Sequence, residues 1–256
     1  MRKVSIVEVI FVPLFFLLVI YPLLALITNV TLDGLISTFS DGLFWVCVKN
    51  TILAAFLAAL LGIALAMGFG YFHVFDRYSL IYRLADLRND LPIALPHTVA
   101  GLALLLAFGR QAFGFIGETG LAFTLAAVVL AMFFVSYPLA ARTIASGVDE
   151  IEREIIDVAR TLGDTPVKTY TRVVIPNIGE AIFSAFVLAF SRSLSEFAAV
   201  IMFGGNVPGR TQVLASYVFT KVEEGELEMA VTASAFCILI SLLMVLMLRW
   251  RGKKNA

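Results

Sequence analysis

The stretch Val48-Lys-Asn-Thr-Ile-Leu-Ala-Ala-Phe-Leu-Ala-Ala-Leu-Leu-Gly-Ile-Ala-Leu-Ala-Met-Gly-Phe-Gly-Tyr-Phe72 carries a single charge, on its second residue. A helix needs about 20 mostly apolar residues to cross the hydrocarbon core of a bilayer, and this run exceeds that. Helices are the default in lipid because unpaired backbone groups are intolerable there. The strand-period alternation of a membrane barrel is absent. Ala58, Gly62, Ala66 and Gly70 recur every fourth residue, a spacing that lets two helix backbones approach closely. Such a stripe either packs helices or lines a pathway, and packing is its commoner use.

Five further runs have the same character: about Val9–Asn29, Leu91–Phe108, Leu121–Ala141, Gly179–Gly204 and Met229–Trp250. Of the 256 residues, 60% are hydrophobic and only 15% charged, against about 45–50% and about 25% in soluble domains. A soluble enzyme, a disordered tail and a disulfide scaffold are excluded. The expected fold is all-α: one polytopic membrane domain over residues 1–256, with about six transmembrane helices. Nineteen basic and nineteen acidic residues cancel, so no nucleic-acid surface is indicated. Cys47 and Cys237 lie in separate apolar runs and read as buried apolar residues, with no metal cluster around either.

The charges orient the spans. With the N-terminus inside, the inner segments 1–8, 73–90, 142–178 and 249–256 hold fourteen Lys and Arg, and the outer segments only four. Cytoplasmic loops are the ones enriched in these residues, so both termini read as cytoplasmic in an inner or plasma membrane protein. The first run is too long for a signal peptide's h-region and lacks a clean cleavage site. It reads as an uncleaved helix.

Two spans carry polar features. Leu91-Pro-Ile-Ala-Leu-Pro-His-Thr-Val-Ala-Gly101 opens the third. If Pro96 takes the first helical position, the amides near His97 and Thr98 lack intrahelical partners and favour anions. An ordinary proline kink is the alternative. The fifth span contains Phe190-Ser-Arg-Ser-Leu-Ser-Glu-Phe197. Arg192 and Glu196 are four apart and share a helix face, and Ser184, Ser191 and Ser195 form a second polar line. Ionisable residues inside a span are costly and face a bundle interior or water. The pair either lines a pathway or locks two helices together. Pro96, His97, Thr98, Ser191, Arg192, Ser195 and Glu196 are the pathway candidates. The run Lys221–Glu228 holds four acids and reads as a solvated outer loop or a partner contact.

The longest inner segment, 142–178, is organised. Across Asp149–Leu162 the residues Ile151, Ile155, Val158 and Leu162 make an apolar stripe at helical spacing. Gly163 ends the helix as a C-cap and Pro166 follows. A second amphipathic stretch, Thr165–Ile175, is closed by Pro176. Two short helices around a glycine, tied to two spans, make a docking lever. Its acidic content weighs against a helix lying on lipid.

This segment resembles the cytoplasmic signature of ABC-importer permeases: Glu-Ala-Ala, three residues, Gly, nine residues, Ile-x-Leu-Pro. Here the chain reads Asp157-Val158-Ala159, three residues beginning with Arg160, Gly163, nine residues, then Val173-x-Ile175-Pro176. Every spacing fits, and the departures keep charge sign and apolarity. The Leu91–Gly101 segment and Ser193-Leu-Ser-Glu-Phe-Ala-Ala-Val200 look like the corresponding segments of molybdate/tungstate permeases, with sulfate permeases close behind. The resemblance implies the type I importer permease fold and a loop that enters a cleft of an ATPase. It also implies a second copy of the chain, two ABC ATPase subunits and an extracytoplasmic oxyanion-binding protein.

The expected function is import of a tetrahedral oxyanion, molybdate or tungstate first, with sulfate, thiosulfate or phosphate as alternatives. No phosphate-binding loop of the GxxxxGK[ST] type occurs, so the chain is expected to be no enzyme and to bind no cofactor. ATP and Mg²⁺ would belong to the partner. A transporter driven by an ion gradient is the rival from another class. It needs ionisable residues deep in several spans, where only Arg192 and Glu196 qualify.

Overall fold

A computed structural model describes residues 6–115 and 117–252. Among the described residues the chain is helical, with no strand beyond an isolated bridge between Gly109 and Gly120. In chain order the helices are α1 (Ile6–Phe15), α2 (Tyr21–Thr28), α3 (Leu32–Ser40), α4 (Gly42–Phe75), α5 (Leu80–Ala94), α6 (His97–Phe108), α7 (Arg110–Phe113), α8 (Leu125–Asp149), α9 (Arg153–Thr161), α10 (Pro166–Thr169), α11 (Ile175–Asn177), α12 (Gly179–Leu194), α13 (Leu214–Glu223) and α14 (Leu227–Gly252). A π turn over Phe16–Ile20 joins α1 to α2. Segments 11–28, α4, α8 and 227–247 are each long and apolar enough to cross a membrane. Two bent pairs, α5 with α6 and 166–177 with α12, bring the total to six where each pair counts as one span.

The core is built from alanine. Ala54, Ala55, Ala58, Ala59 and Ala66 of α4 are buried against Ala127, Ala131, Ala140 and Ala141 of α8, with Ala185 and Ala189 of α12 closing the third side. Lipid supplies no hydrophobic drive between helices, so close backbone approach through small residues does the packing. A Cβ on Gly70 would stand 2.9 Å from Cγ2 of Ile144 and from the hydroxyl of Tyr170. The stripe in α4 is packing.

Polar ties fix the ends. Thr124, Ser79 and Thr31 cap α8, α5 and α3 by accepting main-chain N–H groups, as N-cap hydroxyls do. Where α4, α5 and α8 meet, His73 lies between the Tyr82 hydroxyl, 2.7 Å from Nδ1, and Asp149 Oδ1, 2.9 Å from Nε2. Arg142 Nη1 donates to Asp86 Oδ1 at 2.7 Å across α8 and α5. At the other end Tyr217 Oη donates to Asp41 Oδ2 at 2.7 Å, and Asn50 Nδ2 to the carbonyls of Arg210 and Gln212 at 3.1 Å. Lys221 Nζ donates to Glu226 and Glu224. The run 221–228 is therefore internally paired as well as solvated.

Several expectations need correction. The third span is not one helix over Leu91–Phe108. Leu91–Ala94 finish α5, and α6 starts afresh at His97 after a bend of 119°. Pro96 is the N-cap rather than the first helical residue. The fifth span stops at Leu194, breaks at Ser195–Phe197 and resumes as a π turn over Val200–Gly204. The lever helix starts at Arg153, because Asp149 still belongs to α8 and the chain bends over 150–152. Pro176 does not close the second stretch. The helical run passes through it to Asn177, in α11, before a 74° bend into α12. Pro176 directly follows a π turn over Tyr170–Val174, where the main-chain ladder is already out of its regular i→i−4 register, and there the run tolerates a residue without an N–H. Helices α3, α7 and α13, and α5 as far as Asp90, lie outside the six expected runs. Residues 1–5 and 253–256, which carry Arg2, Lys3, Lys253 and Lys254 of the charge count, lie outside the described residues.

Candidate functional site

Gly101 decides how α6 meets the broken fifth span. A Cβ there would stand 2.8 Å from Cα of Ala199, 2.9 Å from its carbonyl oxygen and 2.7 Å from Cβ of Met202. Only hydrogen fits, so α6 crosses the 199–202 segment backbone to backbone. This crossing carries the start of α6 to the break at Ser195–Phe197.

There His97, Arg192 and Glu196 come together. Arg192 Nη2 donates to Glu196 Oε2 at 3.0 Å and lies 3.0–3.1 Å from the two ring nitrogens of His97. His97 Nδ1 is 3.2 Å from the same carboxylate oxygen. With a neutral ring protonated at Nδ1, Nδ1 donates to Glu196 and Nε2 accepts from Arg192, while the approach of Arg192 Nη2 to Nδ1 sets two donors side by side. Glu196 Oε1 accepts the Ala199 N–H at 2.9 Å, and Arg192 Nη1 donates to Ser195 Oγ at 3.1 Å. Glu196 sits in the break and its carboxylate caps the segment that follows, so its side chain holds the broken span in register.

Exposure is graded across the cluster. The side chain of Glu196 is 1% exposed, that of Arg192 23% and that of His97 37%. The carboxylate sits behind; the cation and the imidazole face outward. Thr98 and Ser195 are exposed beside them, as is Pro96, and Ser191 is half-buried one residue before Arg192. Val99 and Ala100 N–H donate to the Pro96 carbonyl, so the uncommitted amides of this helix start are those of His97 and Thr98. Of the pathway candidates, His97, Arg192, Ser195 and Glu196 form one contact network, with Thr98, Pro96 and Ser191 at its margin. Ser184, by contrast, lines a different hollow, with Arg142, Glu150 and Glu180.

The lever is the second site. Helix α9 ends in a Schellman cap: Gly163 N–H donates to Arg160 C=O at 3.1 Å, and Asp164 N–H to Ala159 C=O at 3.2 Å. Gly163 has φ +96°, which side chains with a Cβ adopt only with strain. Thr165 caps the next helix through the Lys168 N–H. Helix α9 divides its apolar residues. Ile156 packs on the core, whereas Ile155, Val158, Leu162 and, beyond the cap, Val167 are exposed, Leu162 to 82%. Among Asp157, Val158, Ala159 and Arg160 only Ala159 is half-buried, while Val173 and Ile175 are half-buried beside an exposed Pro176. Tyr170 Oη donates to the Met67 carbonyl at 2.6 Å, binding the lever's second half to α4. A polar crevice of about 140 Å³ between His73, Asp149, Arg153 and Asp157 separates α9 from the ends of α4 and α8.

Sequence reasoning missed two things here. Gly101 lay within a quoted segment, but nothing local shows that it meets Ala199. His73, Tyr82 and Asp86 carried no motif, and their pairing with Asp149 and Arg142 is made only by the packing of α4, α5 and α8.

Residues 58–253 match the family described as "Binding-protein-dependent transport system inner membrane component". The chain is 34% identical over 217 residues to a probable sulfate transport system permease protein of Nephroselmis olivacea, covering 82% of this chain and 74% of the relative. It is 31% identical to a sulfate transport system permease protein of Salmonella typhimurium, covering 90% and 85%. It is 29% identical to a probable transport system permease protein, NifC, of Clostridium pasteurianum, covering 96% and 90%. In fold it is similar to a bacterial ABC transporter involved in the import of the polysaccharide alginate, at TM-score 0.76 and 17% identity over 97% of this chain and 95% of the other. A second likeness, to an amino acid ABC transporter, has TM-score 0.62 and 20% identity over 88% and 99%.

Proposed function

We propose a function from a fact of kinship: the chain belongs to the family of binding-protein-dependent transport system inner membrane components, the ABC-importer permeases. It is the membrane-spanning subunit of an ATP-driven importer, and its cargo is a tetrahedral oxyanion. Two copies form the pathway, both termini face the cytoplasm, and two ATPase subunits grip the α9 face from below. ATP and Mg²⁺ act in those subunits, and the energy reaches this chain as movement of the lever around Gly163. An extracytoplasmic binding protein selects and delivers the anion on the opposite side.

The observation that carries this reading is the exposed apolar stripe of α9. Ile155, Val158 and Leu162 are exposed, and they flank the signature's Asp157 and Gly163. An apolar patch on a soluble-side element marks an interaction site. For the cargo, the partly exposed Arg192 supplies N–H donors to an anion beside His97, and Glu196 behind them keeps net charge low. Low affinity suits a pathway, since tight binding in a pore prevents release.

The segments Leu91–Gly101 and Ser193–Val200 point to molybdate or tungstate, and the named relatives point to sulfate. Both are divalent and tetrahedral, and Arg192 and His97 would treat them alike. The test is ATP-driven uptake into proteoliposomes holding the whole importer, with the binding protein presented with molybdate, tungstate, sulfate and phosphate in turn. Uptake of any of the first three, dependent on ATP, supports the proposal. Uptake without an ATPase subunit, or of none of the four, overturns it. Sulfate alone would decide against molybdate and tungstate.

A further inference from the structure

Glu196 is an odd residue to find in an anion's path. Its carboxylate is buried behind the very cation that would attract the cargo. Both oxygens are committed: Oε1 to the Ala199 N–H at 2.9 Å, Oε2 to Arg192 at 3.0 Å and His97 at 3.2 Å. Burying a carboxylate costs several kcal/mol unless donors compensate it, and here three do. Arg192 Nη2 pairs with Glu196 while its Nη1 donates to the exposed Ser195, and the Arg192 side chain is 23% exposed against 1% for Glu196. The carboxylate therefore does not block the approach of an anion. It neutralises the cation from the rear.

We propose that Glu196 is a built-in counter-ion that sets the affinity of the Arg192–His97 site for the oxyanion. It occupies the guanidinium while the pathway is empty and shares it when cargo arrives, so that a dianion is bound weakly enough to leave. This rests on the function proposed above, which supplies the anion. The competing account is that the pair merely locks the broken span. The two differ in what happens when the charge alone is removed. In Glu196→Gln the amide offers one acceptor oxygen to three donors, the Ala199 N–H, Arg192 and His97. A guanidinium left partly unmatched is then available to the cargo.

The experiment measures equilibrium binding of radiolabelled sulfate and molybdate to the permease–ATPase complex without binding protein, together with maximal ATP-driven uptake by the complete importer. Glu196→Gln should bind the transported anion about tenfold more tightly or better, as expected for a freed charge-assisted hydrogen bond, and its maximal uptake rate should fall. Weaker or unchanged binding would overturn the proposal even where the wild type transports normally. If Glu196→Gln does not insert, the wild-type complex carries the test. The transported anion at saturation should slow modification of Arg192 by phenylglyoxal, read by mass spectrometry, and no protection would overturn the proposal. A wild-type importer that moves none of the oxyanions overturns the function itself, and this inference with it.

Discussion

His73 Nε2 lies 2.9 Å from Asp149 Oδ1, and this contact joins the end of α4 to the last residue of α8. The same ring reaches Tyr82 of α5 at 2.7 Å. Asp149 accepts only, so Nε2 carries the proton and Nδ1 accepts from the Tyr82 hydroxyl when the ring is neutral. Three helices thus share one buried imidazole at the root of the lever, and α5 leads directly to the helix that bears His97. His73→Phe keeps the volume and removes both bonds. It should lower the unfolding free energy of the solubilised subunit by about 1–3 kcal/mol, the cost of leaving buried groups unpaired. Tyr82→Phe, which loses one bond, should cost less. Chemical denaturation in detergent checks the order; equal stability of His73→Phe and wild type would refute it.

Gly163 supports a second prediction. A Cβ at this position meets nothing within 4 Å, so the penalty of substitution is one of backbone alone. Gly163→Pro forbids φ +96° and deletes the N–H that caps α9. The subunit should still insert, since the site is exposed, while coupled uptake is lost. Gly163→Ala should retain part of it, at a local cost of about 1 kcal/mol. Uptake measured against membrane-inserted protein gives the answer, and normal uptake by Gly163→Pro would count against the lever.

At Gly101 the obstruction is main chain, Ala199 Cα and C=O. Gly101→Ala must push α6 away from the broken span and part His97 from Glu196. Overpacking of this kind costs about 1–3 kcal/mol. Both the denaturation midpoint and the uptake rate should fall. An unchanged midpoint would show that the close crossing is absent.

Lys221 gives a pH prediction. Burial pulls its pKa down, but the hydrogen bonds and charges of Glu226 and Glu224 outweigh that and raise it above the ordinary 10.5. A cation whose folded pKa is raised adds stability below the unfolded value and loses it as pH climbs through the folded one. Lys221→Gln should therefore be destabilising at neutral pH, and its deficit should shrink above about pH 10.5. Denaturation of both proteins across that range is the measurement, and a deficit that grows with pH would contradict the pairing.

How much of this could be read from the chain depended on the range of the interaction. The apolar runs are local, and four of the six expected spans sit near their places as single continuous stretches. The Arg192–Glu196 pair is also local, being one helical turn. Gly163 announced a helix end through its own conformational freedom. The breaks were harder. Pro96 looked like a first helical residue and is a cap, and Glu196 looked mid-helical but sits where the helix stops to lend its carboxylate to Ala199. Helix α5 hid because it mixes Arg, Asp and Asn into an apolar run, diluting the span signal. The joining of His97 to Arg192, across 95 positions, depends on a backbone crossing at Gly101 that no spacing encodes.

The most direct test of the central claim is a photo-crosslinker placed at Val158, which is 58% exposed. In membranes containing the complete importer it should capture the ATPase subunit, and the yield should change when ATP is bound. Capture of lipid alone, or of a protein on the extracytoplasmic side, would contradict the account.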